Sequence, residues 1–279
     1  MGQSNSRLVL LGTGTPNAEP ERSGPSVAVI TDESAYLVDA GPGVVRRAVA
    51  ARDAGIASLA PEKLSRVFLT HLHSDHTAGL PDLLLTPWVL GRDTPLEVFG
   101  PRGTAQMVQH LTEAFRADIE ERTRGLEPAN STGWKSSVFE IEEGDVYADR
   151  TVQVSALAVS HGRWTAFAYR LQTSDRTVVV SGDTAPNTAL EDFARNCDVL
   201  LHEVYSAKAF AEKDPEWQEY HRSVHTSSLE LGKLAARVRP GMLVLYHQLY
   251  WGRSDDELLD EIRLHYKGEV RSGRDLDVL

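Results

Sequence analysis

Apolar residues recur along the chain in short blocks rather than in long amphipathic stretches. RLVLLGTG (7–14), SVAVITD (26–32) and AYLVDAG (35–41) are apolar or β-branched runs closed by turn residues, the pattern of buried strands. VVRRAVAARDAGI (44–56) spaces its apolar residues at helical intervals. RVFLT (66–70) predicts another strand. LPDLLLTPWVL (80–90) predicts a helix with Pro81 in its first turn and Pro87 kinking or ending it. PLEVFGP reads as a strand and 103–117 as a helix.

The second half repeats the theme. Strands are predicted over TVQVSALAVSH (151–161), TAFAYRLQT (165–173), RTVVVSGD (176–183), CDVLLHEVY (197–205) and MLVLYH (242–247). Helices are predicted at about 187–195, 226–238 and 254–265. Between the halves, ADIEERTRGLEPANSTGWK (118–136) is polar and broken by Gly and Pro, so it predicts a long loop or boundary. The expectation is one domain, 1–279, of two similar halves at about 1–125 and 136–279. Strands alternating with helices predict an α/β sandwich, with helices outside and sheets inside.

Composition narrows the setting. With 279 residues, 41% of them hydrophobic, the chain is long enough for a sizeable core. Its one cysteine, Cys197, cannot form an internal disulfide, which suits a reducing, cytoplasmic location. No apolar run approaches the ~20 residues needed to span a bilayer, so no membrane partner is expected. A net charge of −11 opposes non-specific binding to nucleic acid, which depends on Lys and Arg neutralising phosphates.

The chemistry begins at THLHSDHTAGL (70–80), which crowds His71, His73, Asp75 and His76 into six positions. Residues two apart on an extended stretch point to one side, so His71 and His73 can share an ion. Asp75 and His76 lie where the chain turns and can face a second position, and Gly79 lets the chain close into the next helix. One such histidine would ordinarily be a solvated loop residue; the pattern H-x-H-x-D-H points to divalent metal. Further ligands are sought at strand ends, where site loops gather. His161, Asp183 and His247 each directly follow an apolar strand. Singly each would be a cap or turn residue, but jointly they read as ligands.

These stretches identify a resemblance. LGTGTP, LVDAGPG, FLTHLHSDHTAGLPDLL, LEVFGPRG, VSH, VVVSGDT, LLHEVY and LYH, spread over residues 7–250, resemble the metallo-β-lactamase superfamily on its ribonuclease Z and arylsulfatase-like branch. The resemblance implies a four-layer αββα sandwich with a dinuclear site along one edge. It implies His71, His73 and His161 on one metal, Asp75, His76 and His247 on the other, and Asp183 bridging. Zinc is the expected ion, with manganese or iron compatible with the ligand set. The expected reaction is attack of a metal-bridging hydroxide, oriented by Asp75, on a phosphodiester or related ester. LLHEVY and SVHTSS resemble the pair in which a glutamate, here Glu203, orients a histidine, here His225, that protonates the leaving group. The family's H-S-T is H-T-S here, and Thr226 or Ser227 also suits a helix cap.

Transfer-RNA-processing members carry a basic arm inserted between the residues matching His161 and Asp183. Here residues 162–182 have room only for two strands and a hairpin turn. With the acidic charge, this predicts a small-molecule ester as substrate and does not favour transfer RNA. Trp164, Tyr250 and Trp251 are candidates for an aromatic wall or, equally, for core or surface packing. The polar segment 206–224 is a candidate lid or homodimer contact, while His202 and His221 read as structural or surface residues. Alternative readings are an aryl- or alkylsulfatase, a lactonase, a di-iron redox protein, or a non-catalytic metal-binding module.

Overall fold

The computed structural model describes residues 6–31 and 34–279. Asp32, the last residue of the predicted second strand, lies outside them. The chain divides into two compact units, each built on one mixed sheet.

The first unit contains the chain through Gly12, Ala18–Ile141 and Asp275–Leu279. Its sheet has the order β1 (Arg7–Gly12), β2 (Ser26–Thr31), β3 (Ser34–Val38), β4 (Arg66–Phe68), β5 (Leu96–Gly100) and β6 (Ser136–Glu140). β1 to β3 pair antiparallel, and β3 to β6 pair parallel through helical crossovers. Val44, Val45 and Ala48 of helix Val44–Asp53 pack on this sheet, as do Leu80, Leu83 and Leu84 of helix Leu80–Val89. Every residue of β2 is buried, which is why it reads as an unbroken apolar run. Pro87 lies inside its helix, which continues to Val89 rather than ending.

One buried cation ties this unit together. Arg92 donates from its guanidinium to the carbonyls of Leu64, Leu83, Leu84 and Gly133, at 2.7–2.9 Å. Burial pulls its pKa down to about 10, which still leaves it charged at neutral pH.

The second unit contains Thr13–Asn17 and Glu142–Arg274. Its sheet has β7 (Gly144–Ala148), β8 (Val152–His161), β9 (Trp164–Thr173), β10 (Thr177–Val180), β11 (Val199–Tyr205), β12 (Met242–Leu249) and β13 (Val270–Ser272), neighbours in sequence being neighbours in the sheet. β7 to β10 are antiparallel and β10 to β13 parallel, the same division as in the first sheet. Leu231, Leu234, Ala235 and Val238 of helix Ser228–Val238 and Leu258 and Ile262 of helix Asp255–Arg263 cover it. Among the described residues, no helix is long and apolar enough to cross a membrane.

Two polar segments for which no complete helix is predicted are partly helical. Arg116–Arg124 forms a helix that buries only Ile119, so no apolar period marks it. An Asp118–Arg122 pair at i,i+4 supports it instead. The polar segment after β11 contains helices Ala207–Ala211 and Pro215–Val224. Glu261 organises the first of these. It is buried and accepts from Ser206 Oγ at 2.9 Å and Ala207 N at 2.7 Å.

Candidate functional site

In the first unit, the chain leaves β4 and turns through Thr70–His73 into the short helix Ser74–Thr77. His71, Asp75 and His76 are buried and His73 half-buried. A second turn holds this one in place. Asp39 follows β3 with φ +63°, a left-handed conformation that Asp tolerates better than most residues. Its carboxylate accepts from the Thr70 backbone N–H at 2.7 Å, the Thr70 hydroxyl at 2.9 Å and His76 Nδ1 at 2.8 Å. Burial pushes the Asp39 carboxyl up, against the pull of His76 and Thr70. Ala40 N donates to His76 O and Gly79 N to Ala40 O, both at 2.9 Å. A Cβ on Gly79 would sit 2.2 Å from Gly41 O, so the crossing of the two turns requires glycine.

Tautomers follow from these contacts. The Thr70 hydroxyl gives its proton to Asp39, so His71 Nδ1–H donates to Thr70 Oγ1, at 3.0 Å. His71 Nε2 then carries its lone pair, 3.0 Å from His73 Nδ1. His76 donates Nδ1–H to Asp39, and its Nε2 faces Asp75 Oδ2 at 3.5 Å. Lone pairs and carboxylate oxygens therefore gather in one buried turn, with two imidazoles oriented through the other ring nitrogen. That is the donor chemistry of a divalent-metal site, and the residues fit such an ion.

The second unit presents a matching set. His161 ends β8 and donates from Nδ1 to Val224 O at 2.8 Å, which leaves Nε2 as its acceptor atom. Asp183 follows β10. His247 lies on a bulge in β12: His202 pairs with Leu245 but Val204 with Gln248, so β12 carries an extra residue there. Its φ is +46°, and its backbone N donates to Thr13 O at 3.1 Å. The bulge aims His247 Nε2 at Asp183 Oδ2, 3.5 Å away. Asp183, His225 and His247 each offer a ligand atom within 4.8 Å of one another.

Glu203 and His225 lie in the same unit. Glu203 is fully buried in β11, and its Oε1 accepts from Thr226 N at 2.8 Å and Thr184 N at 3.4 Å. His225 Nδ1 stands 3.4 Å from Glu203 Oε2 and 3.9 Å from Asp183 Oδ2. Burial, and then the Asp183 charge, push the Glu203 carboxyl well above its usual range. His225 is pinned from both sides. It ends helix Pro215–Val224 through its N–H to His221 O, and Ser227 caps the next helix in a capping box with Glu230. The capping role and the placement beside Glu203 thus coexist.

Two further imidazoles surround this pair. Burial pushes His202 down to about 4, and its Nδ1 contacts Glu203 O at 2.6 Å. His221 is buried rather than on the surface; burial, with His225 and Lys213 adding to it, also pushes it to about 4. Of the aromatic wall, Trp251 lines a groove beside His225. Tyr250 instead bonds Asp255 Oδ1 and Ser272 Oγ, and Trp164 is exposed on the β8–β9 hairpin. Thr70, Lys213 and Trp217, which the sequence did not single out, belong to these surroundings through tertiary contact alone.

Asp39→Asn keeps the shape but removes the charge that fixes His76. Metal affinity falls by about 10- to 100-fold, as for other partners of metal-bound histidine. Competition against a chromophoric chelator measures it, and unchanged affinity would show that Asp39 only shapes the turn.

A family model described as a β-lactamase superfamily domain matches residues 35–248. A ribonuclease Z from Mycobacterium sp. (strain KMS) is 36% identical over 250 residues, covering 87% of this chain and 84% of that one. Among solved structures, the metallo-β-lactamase fold protein YhfI from Bacillus subtilis is similar with TM-score 0.77 and 20% identity, over 98% of both chains. The short form of human tRNase Z is similar with TM-score 0.72 and 20% identity, again over 98% of both chains.

These findings correct one expectation, that the substrate is a small-molecule ester and transfer RNA is disfavoured. Relatives named for cleaving RNA match the chain along most of its length. Residues 162–182 do form only β9, β10 and their turn, but the lack of an insertion there says nothing about RNA contacts made elsewhere. Nor does total charge describe the charge of one groove. The sulfatase and lactonase alternatives gain no support from these relatives. The chain belongs to the metallo-β-lactamase superfamily, and is a metal-dependent hydrolase of its ribonuclease Z-like group.

Proposed function

We propose that the chain hydrolyses a phosphodiester of RNA, with a 3′-extended transfer RNA as the leading substrate. Two divalent ions, zinc first among them, would be held by His71, His73, Asp75, His76, His161, Asp183 and His247. Bound there, such ions neutralise phosphate oxygens and lower the pKa of water.

The chain's own residues handle orientation and the second proton. Asp39 and Thr70 hold His76 and His71 in the tautomers that point Nε2 away from the protein backbone. Val224 O does the same for His161. His225 faces Glu203 and Asp183 through Nδ1, which orients the ring and leaves Nε2 for the substrate. From there it gives a proton to the departing ribose oxygen. His202 and His221, held neutral, place no competing positive charge beside it.

The observation that carries this reading is the buried His225–Glu203 pair beside an open groove, in a chain related to ribonuclease Z. The test is incubation of zinc-loaded protein with a transfer RNA precursor bearing a 3′ extension. One cut near the 3′ end is expected, lost with chelator and restored by zinc. Intact precursor with fully loaded protein refutes the reading.

A further inference from the structure

The helix Pro215–Val224 carries Trp217, Tyr220 and His221 at i, i+3 and i+4, so the three rings share one face. Trp217 is 55% exposed and Tyr220 44% exposed. Large aromatics left open to water in this way mark binding surfaces. They border a groove of about 420 Å³, within the usual range for small-ligand sites, and His225 forms part of its lining. The rings already contact one another. Trp217 stacks on His221 at 5.6 Å and 24°, and His221 meets Trp251 at 4.6 Å. Lys213 Nζ lies 4.0 Å from the Trp251 ring centroid.

We propose that this groove is a stacking site for one unpaired nucleobase of the RNA, on a nucleotide flanking the scissile phosphodiester, with Trp217 as the platform and Lys213 as the phosphate contact. The proposal rests on the RNA reading above. The lining supplies flat aromatic faces and an ammonium group and contains no carboxylate, so it suits a flat ring attached to an anion. Its contact with His225 places that ring next to the proton donor. Stacking on an aromatic face is indifferent to base identity, so the site positions the strand without reading its sequence.

The test compares adenosine 5′-monophosphate with ribose 5-phosphate as ligands of the zinc-loaded chain, followed by tryptophan fluorescence. Both carry the same phosphate, so their difference isolates the base. The nucleotide is expected to bind roughly 5- to 150-fold more tightly, the range given by loss of one stacked base. Trp217→Ala should erase that preference, and its exposure makes misfolding no explanation for the loss. Lys213→Ala should weaken both ligands. Trp164→Phe, outside the groove, should bind both as the parent does. Equal binding of the two ligands by the parent overturns the proposal, as does a base preference that survives Trp217→Ala. Neither result depends on RNA cleavage: failure to cut the precursor would refute the reaction, and failure to prefer the base would refute the groove.

Discussion

Asp75→Ala abolishes RNA cleavage and lowers bound zinc from two ions per chain to one or fewer. Asp75 is 9% exposed, in the short helix Ser74–Thr77. Its Oδ2 faces the His76 nitrogen that Asp39 has turned toward it. Removing it takes away a negative charge as well as a donor. Of the proposed ligands only Asp183 then still brings a negative charge, the rest being neutral imidazoles. Removing a single electrostatic stabiliser from an active site costs about 10²- to 10³-fold in kcat, and a lost ligand sets that as a lower bound. Elemental analysis of protein purified without added metal reads the stoichiometry, and cleavage of the precursor reads the rate. Asp75→Asn keeps one oxygen donor and separates the charge from the shape. Parental zinc content with parental turnover in Asp75→Ala would remove the first motif from the site altogether.

The parts of the molecule legible in sequence are those whose surroundings are local. β2, β11 and β12 are buried almost throughout, so continuous apolar runs announced them. The four residues at 71–76 share one turn, and their spacing alone points to metal. Asp39 is different. Its carboxylate reaches Thr70 and His76 across more than 30 positions, so only the fold reveals that it fixes their tautomers. His221 shows no sign of burial in a segment as polar as 206–224; its ring is covered by tertiary contact with Trp251 and His225, while Trp217 and Tyr220 on the same helix stay exposed. Arg116–Arg124 escaped for the opposite reason, being a helix with almost nothing to bury. The three candidates for an aromatic wall divide by direction. Trp251 and Tyr250 are neighbours in sequence, but one lines the groove and the other bonds Asp255.

His225→Ala slows cleavage of the RNA precursor by about 10²- to 10⁴-fold, the usual weight of a general acid, with zinc content unchanged. The imidazole stands 3.4 Å from Glu203 and 3.9 Å from Asp183, and both contacts use Nδ1. Two carboxyl groups on one nitrogen fix the ring's orientation and leave Nε2 for the leaving oxygen. Glu203→Gln tests the orientation separately. Its Oε1 can still accept from Thr226 N and Thr184 N, but an amide N–H now meets Nδ1. That contact no longer accepts from the Nδ1–H that orients the ring, so the rate falls by an intermediate factor. A purely structural role for the pair would slow all substrates alike. A donor role makes the loss depend on the leaving group: bis-p-nitrophenyl phosphate expels p-nitrophenolate, which departs without a proton, so its hydrolysis by His225→Ala falls by less than about tenfold. Equal losses on RNA and on the nitrophenyl ester would assign His225 to the architecture of the groove instead of to proton transfer.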